Sequence, residues 1–441
     1  MPAILQTLRC VLSPLRFTEA CARRYGDCFT VRVLGQPPTV IFSDPEATRE
    51  IFAGDVETVR GGEANAEFMR PILGPHSIMV LDGARHARQR RLMQPAFHGE
   101  HMHAHGRIIQ DITDRVIDAF PLGRRFPIHP HMQTITLEVI LRSVLGVDDD
   151  RDLGRWRRCL ARIVALPNGA AAPFLAIPRL RVALGGLTPW GRFLRDREDF
   201  RRIVLAEIAR RRAEGPAGRS DVLSMLIEAR DEAGRAMSDD ELFDEMFTLL
   251  MAGHETTASA LTWVLHEVLR RTDVLARIRA EARAAGAADP VEAVDVARLE
   301  YLGAVINETA RLTPILTNIV RRLTAPMRIA GRDLPAGINV TTSIYLVHRH
   351  PDIWPDPERF DPERFLAGRP RPHTFFPFGG GDRRCLGAAF AAYEMKIVLA
   401  RMLARTALRL APGYRMRPVL RMVTITPSAG LPVVAERLDE T

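Results

Sequence analysis

The residues best suited to do chemistry lie in the stretch FGGGDRRCLG, from Phe378 to Gly387. Three consecutive glycines make a poor helix and a poor strand, but they let a backbone turn tightly and approach a flat ligand closely. Behind Cys385 the run LGAAFAAYEMKIVLARMLAR has helical spacing. The cysteine is therefore expected just before a helix N-terminus, where free N–H groups and the helix dipole favour a thiolate. Arg383 and Arg384 are expected to push the same way. A thiolate on a rigid loop suits an axial ligand of haem iron. Cys10, Cys21, Cys28 and Cys159 stand far apart among apolar or mixed neighbours, with no C-x-x-C pair. They read as small core residues, so neither a disulfide framework nor a zinc site is indicated.

A second candidate sits inside the strongest helical pattern. Ser238 and Glu241 open it as a capping box, and it continues to Arg271. Its apolar middle is interrupted by AGHETT, Ala252 to Thr257. Gly253 costs about 1 kcal/mol against alanine there, and Thr256 can bond back to a carbonyl and loosen the turn. Packing alone gives no reason for such a step, so a site is implied. A zinc-protease reading fails, because Ala258 and Arg270 stand where H-E-x-x-H needs a second histidine.

Other pairs are weaker signals. His86 and Arg90 share a helix face at i,i+4, and two such donors suit a carboxylate. Glu308 and Arg311 pair at i,i+3, but so do Glu46/Arg49, Glu207/Arg210 and Glu267/Arg270, which read as solvated faces worth little. His101 and His105, in the cluster with His98 and His103, could share a metal. No third ligand follows at a fitting spacing, so a solvated face is expected.

Phe378, Gly379, Gly381, Arg383, Cys385 and Gly387 fit F-G-x-G-x-R-x-C-x-G at every position. On this loop the chain resembles the cytochrome P-450 family of haem-thiolate monooxygenases. The resemblance implies haem b, with Cys385 on the iron and Phe378 and Gly379 in the loop beside it. It implies propionate contacts from Arg383, His86, Arg90 and, by order, Arg321. The Gly-x-acid-Thr step lies on the dioxygen side of the haem in that family, which makes Thr256 and Glu255 a proton relay. Glu308, Arg311 and the arginine of the second PERF, Arg364, become a buried network bracing the cysteine loop. By position, Ile78, Met79, Val80, Met251, Ala252, the segment 315–320 with Ile315 and Ile319, and Leu431 are expected to line an apolar pocket. The order LDGARHARQRRLMQPAFHGEHM resembles the cyanobacterial and myxobacterial branch that oxidises fatty acids and terpenes.

These residues need elements to hold them. CFTVRVLGQPPTVIF, Cys28 to Phe42, alternates and turns at Pro37-Pro38, as a hairpin does. From Asp44 to Arg311 the pattern is mostly helical. MRIAG, LPAGINVTTS and MVTITPSAGLPVV form later β-rich patches, while the proline-dense HPDIWPDPERFDPERF is expected to lack regular structure. The expected fold is mainly α with a small β-rich part, the cytochrome P-450 fold, as one domain over residues 1–441. Its β-rich segments fall near 28–43, 327–343 and 420–435, and its long central helix at 239–271.

Composition bounds the rest. The chain is 46% hydrophobic and 26% charged, and 61 Lys+Arg against 53 Asp+Glu give +8. Acids are interspersed almost everywhere, which argues against nucleic acid, while a local basic patch could meet an acidic partner. No apolar run reaches the ~18 to 20 residues of a membrane span. Arg9, Pro14 and Arg16 break the N-terminus, so a cytoplasmic monomer with no transmembrane anchor is expected. No fused reductase is expected, and the resemblance then implies a bacterial enzyme fed by a ferredoxin or flavodoxin and its NAD(P)H reductase. The leading reading is a monooxygenase using O2 on a hydrophobic small molecule, a fatty acid, terpene or steroid-like compound. A peroxygenase or haem isomerase on the same fold, and a non-catalytic haem sensor or carrier, are the alternatives. Intact Glu255 and Thr256 argue against each.

Overall fold

The central helix, Asp239–Val268, organises the molecule, and its sequence explains where it starts. The Ser238 hydroxyl accepts from the Glu241 N–H at 3.2 Å, and the Glu241 carboxylate accepts from the Ser238 N–H at 2.8 Å. The helix is buried along most of its length, from Leu242 to Val268. It packs on the helices His129–Ser143, Glu300–Leu312 and Ala388–Arg405. It stops three residues short of Arg271, because a turn there starts the helix Thr272–Ala284. Gly253 has a packing reason after all. Cδ1 of Ile140 lies 3.1 Å from where a Cβ would sit, so glycine lets the helix His129–Ser143 come close. The computed structural model describes residues 1–97, 105–147, 150–165, 181–215, 218–289, 293–421 and 423–437.

The expected hairpin forms from β1 (Cys28–Val31) and β2 (Thr39–Phe42), with Cys28 opposite Phe42 and Val31 opposite Thr39. It is one edge of a five-stranded sheet. β3 (Val59–Arg60), β5 (Asn318–Leu323) and β8 (Asn339–Ser343) complete it in the order β1-β2-β8-β5-β3, with β8 parallel to β2. β5 starts nine residues before the expected β-rich segment at 327. NIVRRL carries two arginines, which mask its alternation. β6 (Met327–Ile329) and β7 (Arg332–Leu334) form a small hairpin. β4 (Arg125–Pro127), β9 (Thr406–Leu410) and β12 (Pro432–Arg437) make a three-stranded sheet, and β10 (Pro418–Arg421) pairs with β11 (Thr424–Pro427). The short β3 and β4 interrupt the stretch expected to be helical.

Three further expectations need correcting. The proline-dense segment does contain a turn of helix, Glu363–Leu366, because Pro362 falls at its N-cap, where a missing N–H costs little. Glu267 is not on a solvated face. It is 6% exposed and bonded to His266 and Arg271. Glu46 and Arg49 are an exposed pair. His98, His101 and His103 lie outside the described residues. His105 is buried, its ring edge-on to Phe390, and so belongs to the core and not to a solvated face.

Candidate functional site

The cysteine loop is a backbone construction. The Cys385 N–H donates to the Phe378 carbonyl at 2.8 Å, the Gly379 N–H to Phe376 at 2.9 Å, and the Arg384 N–H to Gly381 at 3.2 Å. Gly379 and Gly381 adopt φ of +72° and +67°, a region that favours glycine. A Cβ on Gly381 would stand 2.4 Å from the Phe52 carbonyl oxygen, so the loop sits directly on the helix Pro45–Ala53. The helix Ala388–Arg405 starts three residues past Cys385, as expected. Protein surrounds the thiol on most sides, yet the residue keeps an accessible face. Burial pushes the thiol pKa up. The Gly387 N–H, Arg90 and Arg384 pull the other way without reversing it. The expectation that Arg383 and Arg384 tip the balance to thiolate is therefore not met by charge alone.

Cations gather beside this loop. Arg383 donates to the carbonyls of Ile78, at 3.1 Å, and Leu81, and to the Asp82 carboxylate. It thus ties the cysteine loop to the segment 78–82. His86 is buried, its Nδ1 3.8 Å from Asp382. Burial, then repulsion from Arg383 and Arg90, pushes its pKa down to about 3, so it stands neutral. Arg321 is 5% exposed, and burial lowers its pKa to about 10. Gly61 makes room for both arginines: a Cβ there would lie 3.1 Å from Arg383 Nε and 3.5 Å from Arg321 Cδ. Among the described residues, the carboxylates that act on Arg90, Arg321 and Arg383 are those of Asp82 and Asp382, and Cys385 also acts on Arg90. A cysteine with one open face beside three buried or half-buried arginines and two carboxylates fits haem, which brings iron and two propionates.

The AGHETT step lies within the buried helix, with Ala252 exposed and Met251, Glu255 and Thr256 half-buried. The Thr256 hydroxyl donates to the Ala252 carbonyl at 2.6 Å. Glu255 turns toward the helix His129–Ser143. Gln133 Nε2 donates to its Oε2 at 2.7 Å, and His129 Nε2 lies 3.3 Å from its Oε1. Burial pushes the Glu255 pKa up, but the bonds and charge of His129, with Gln133 and His254, outweigh it and leave it lowered. The carboxylate is therefore ionised near neutrality. His129 Nδ1 in turn meets the Thr262 hydroxyl at 2.9 Å. His129 and Gln133 escaped the sequence reading. They stand 126 and 122 residues from Glu255, and no motif joins them. Replacing His129 with phenylalanine removes the largest lowering influence, so burial raises the Glu255 pKa. If Glu255 must be ionised for turnover, the acidic limb of the pH profile for product formation moves to higher pH. An unmoved limb would show that Glu255 is not the titrating group.

Segments that carry pocket candidates are tied to the central helix or to each other. The His76 N–H donates to Asp244 at 3.0 Å, and the Thr248 hydroxyl to Ser77 at 2.7 Å, which anchors 76–82. The Trp263 indole donates to the Ile425 carbonyl at 2.8 Å, and the Ile425 N–H to Ile315 at 3.0 Å. Ile78, Met79, Ile315 and Ile319 are half-buried. Ile319 also reaches the cysteine loop, its Cδ1 3.4 Å from where a Gly379 Cβ would be. Val80 and Leu431 are closed off, 3% and 0% exposed. Leu431 belongs to the main core, and neither offers surface to a ligand in this arrangement.

Glu308 and Arg311 are fully buried and bidentate, at 2.7 and 2.8 Å. Arg364 Nε lies 3.6 Å from Glu308, a looser third member. Arg311 also donates to the carbonyls of His348, Pro357 and Arg359. His348, unnoticed in the sequence, accepts from the Phe376 N–H at 2.9 Å. A chain of bonds thus runs from Arg311 through His348 and Phe376 into the cysteine loop.

Helices enclosing a glycine-built cysteine loop with a cationic flank define a haem-thiolate protein. A profile of the cytochrome P450 family matches residues 4–432. The protein named cytochrome P450 135B1 of Mycobacterium tuberculosis is 40% identical over 417 residues, 94% of this chain and 86% of that protein. Cytochrome P450 138 of the same organism is 35% identical over 438 residues, 99% of this chain and 95% of that one. Retinoic acid-bound cyanobacterial CYP120A1 superposes with a TM-score of 0.85 at 26% identity, covering 98% of this chain and 96% of that chain. The haem domain of cytochrome P450DA superposes at 0.83 with 23% identity, covering 97% and 93%, a likeness of fold alone. The chain belongs to the cytochrome P450 family, and haem iron and monooxygenase chemistry come with that membership. Among the described residues no helix is long and apolar enough to cross a membrane.

Proposed function

We propose that the chain acts as one domain, a cytoplasmic monomer, and inserts one oxygen atom of O2 into a fatty acid, terpene or steroid-like molecule. Its electrons come from a separate ferredoxin or flavodoxin with an NAD(P)H reductase. The observation that carries this reading is the intact polar step of the central helix, with Ala252 exposed inside a core where nearly everything else is closed. The half-buried Ile78, Met79, Met251, Ile315 and Ile319 supply apolar surface with few orienting groups, which selects by area. That a solved neighbour is described as bound to retinoic acid, an apolar chain ending in a carboxylate, supports a substrate of this kind.

Cys385 would ligate the haem iron, with Phe378 and Gly379 shaping its loop, and His86, Arg90, Arg321 and Arg383 would hold the propionates. When bound, thiolate-ligated haem supplies dioxygen activation, the sulfur's electron push favouring O–O cleavage. The protein's own part is orientation and protons. Gln133 and His129 keep Glu255 ionised and ready to accept a proton at Oε1 or Oε2. The Thr256 hydroxyl, parked on the Ala252 carbonyl, can rotate to donate on the open side or hold a water there.

Thr256→Ala removes that donor and leaves the loop and the apolar surface in place. Proton-transfer groups contribute about 10²–10⁴-fold, so product formed per NADH should fall about tenfold or more, with hydrogen peroxide making up the difference. Substrate binding, read as a haem spin-state shift, should survive. The assay uses a surrogate ferredoxin and reductase, so it also tests the reading itself. Turnover with peroxide alone, or no turnover on any apolar substrate, would favour a peroxygenase or a carrier.

Exposed arginines near the cysteine loop support a docking face there for the electron donor. Arg383 is engaged inside, and Arg88 pairs with Asp231 at 2.7 Å and Glu241 at 3.0 Å. Arg85, Arg91 and Arg384 remain exposed. Arg91 lines a concavity of about 420 Å³ together with Ala84, His86, Ala87, Arg90 and Asp382. Such a cationic rim suits an acidic partner.

A further inference from the structure

The N-terminal helix, Ala3–Leu12, lies on the protein with its polar side inward. Gln6, Thr7 and Cys10 face the body of the molecule. The Arg32 N–H donates to Gln6 Oε1 at 3.0 Å, and the Leu34 N–H donates to Thr7 Oγ1 at 3.0 Å. Two side chains that would ordinarily face water thus satisfy the backbone just beyond β1. Cys10 packs beside the small cluster of Phe17, Phe29, Val31 and Ile41.

The other face is apolar and turned outward. Ile4, Leu5, Leu8, Val11 and Leu12 follow the i, i+1, i+4, i+7, i+8 spacing of one helical stripe. All five are exposed, Leu12 at 77% and Val11 at 60%. The helix buries no residue at all. Leu34, held against it through Thr7, extends the stripe and is 56% exposed. Apolar residues scattered singly need no explanation, but a contiguous stripe does.

Charge says what covers it. Residues 1–34 contain five arginines, Arg9, Arg16, Arg23, Arg24 and Arg32, all exposed, against two acids, Glu19 and Asp27. Both acids are already engaged: Glu19 accepts from the Tyr345 hydroxyl and lies 3.7 Å from Arg23, and Asp27 meets Ser43 and His350. Among the described residues, Arg9, Arg16, Arg24 and Arg32 form no ion pair with a carboxylate. An apolar stripe with Arg9 in the same helix, Arg16 and Arg24 in the helix packed on it and Arg32 bonded to it through Gln6 matches an anionic lipid interface, acyl chains against the stripe and phosphates against the guanidinium groups. At about 1.5 Å per residue the ten-residue helix is far too short to cross a bilayer.

We infer that this face docks the protein on an anionic membrane surface, with the helix lying in the interface. The test uses the full-length haem-loaded protein and vesicles of phosphatidylcholine with and without phosphatidylglycerol. It should float with the mixed vesicles, bind pure phosphatidylcholine much less, and be released progressively by salt. The Leu8→Glu/Val11→Glu variant should lose roughly tenfold or more of that binding, its carbon monoxide spectrum unchanged. Should that variant fold poorly, Arg9→Glu/Arg16→Glu leaves the stripe intact and should lose the preference for anionic vesicles. Failure of the parent protein to bind mixed vesicles overturns the inference. So does binding that neither variant weakens, or a dimer that the stripe variant converts to monomer without vesicle binding.

Discussion

Cys385→His should give a protein whose reduced carbon monoxide complex lacks the strongly red-shifted band of thiolate ligation. The loop around the residue does not depend on its side chain. It is fixed by the backbone bonds from Cys385 to Phe378 and from Gly379 to Phe376, and by glycines at positive φ. The variant should therefore fold and take up haem with the cationic cluster around His86 and Arg321 undisturbed. What it loses is the charged sulfur. Burial pushes the Cys385 thiol up, and the Gly387 N–H, Arg90 and Arg384 compensate only in part. A metal ion bound to the sulfur would favour the thiolate outright. An imidazole on the same iron carries no such charge and gives less electron push. Product formation with the redox partners should fall below detection while haem content stays near that of the parent. A Cys385→His protein that keeps the red-shifted band would mean the ligand lies elsewhere.

What could be read from the sequence was what sits in contiguous residues. The glycine-rich loop before Cys385, the capping box at Ser238 and the polar step at Ala252–Thr257 each announce themselves within ten residues. Contacts made across the chain leave no such trace. His129 and Gln133 are ordinary helix residues until the fold sets them against Glu255. Arg88 looks like one more surface cation of the RHARQRR run, yet Asp231 and Glu241, more than 140 residues away, claim it. Gly253 seemed to call for a functional reason because Ile140 could not be seen beside it. Glu308 and Arg311 were indistinguishable by spacing from Glu46 and Arg49. Burial separates them, 0% exposure for the first pair against an exposed second pair, and burial is set by the whole fold.

That difference in burial sets the size of the last expected effect. An exposed pair such as Glu46–Arg49 is screened by solvent and contributes little, so Arg49→Ala should barely move the melting temperature. Arg311→Ala removes both bonds to Glu308 and strands its carboxylate with the Asp361 N–H, at 2.8 Å, and Arg364, at 3.6 Å. Breaking a buried pair from one side costs about 3–5 kcal/mol, a large share of the roughly 5–15 kcal/mol that holds a native domain together. The carbonyls of His348, Pro357 and Arg359 lose their donor as well. The damage should also reach the site. His348 is the acceptor for Phe376, Phe376 accepts from Gly379, and Phe378 accepts from Cys385. Arg311→Ala should therefore yield little haem-loaded protein, with the thiolate band weak or absent in what is recovered. Arg311→Lys should rescue little, because one ammonium cannot copy a fork that serves Glu308 and three carbonyls. Glu308→Leu/Arg311→Met removes both charges and leaves neither stranded, so it should melt above Arg311→Ala. If Arg311→Ala instead loads haem and melts like the parent, the pair is dispensable and the cysteine loop is held by its own backbone bonds alone.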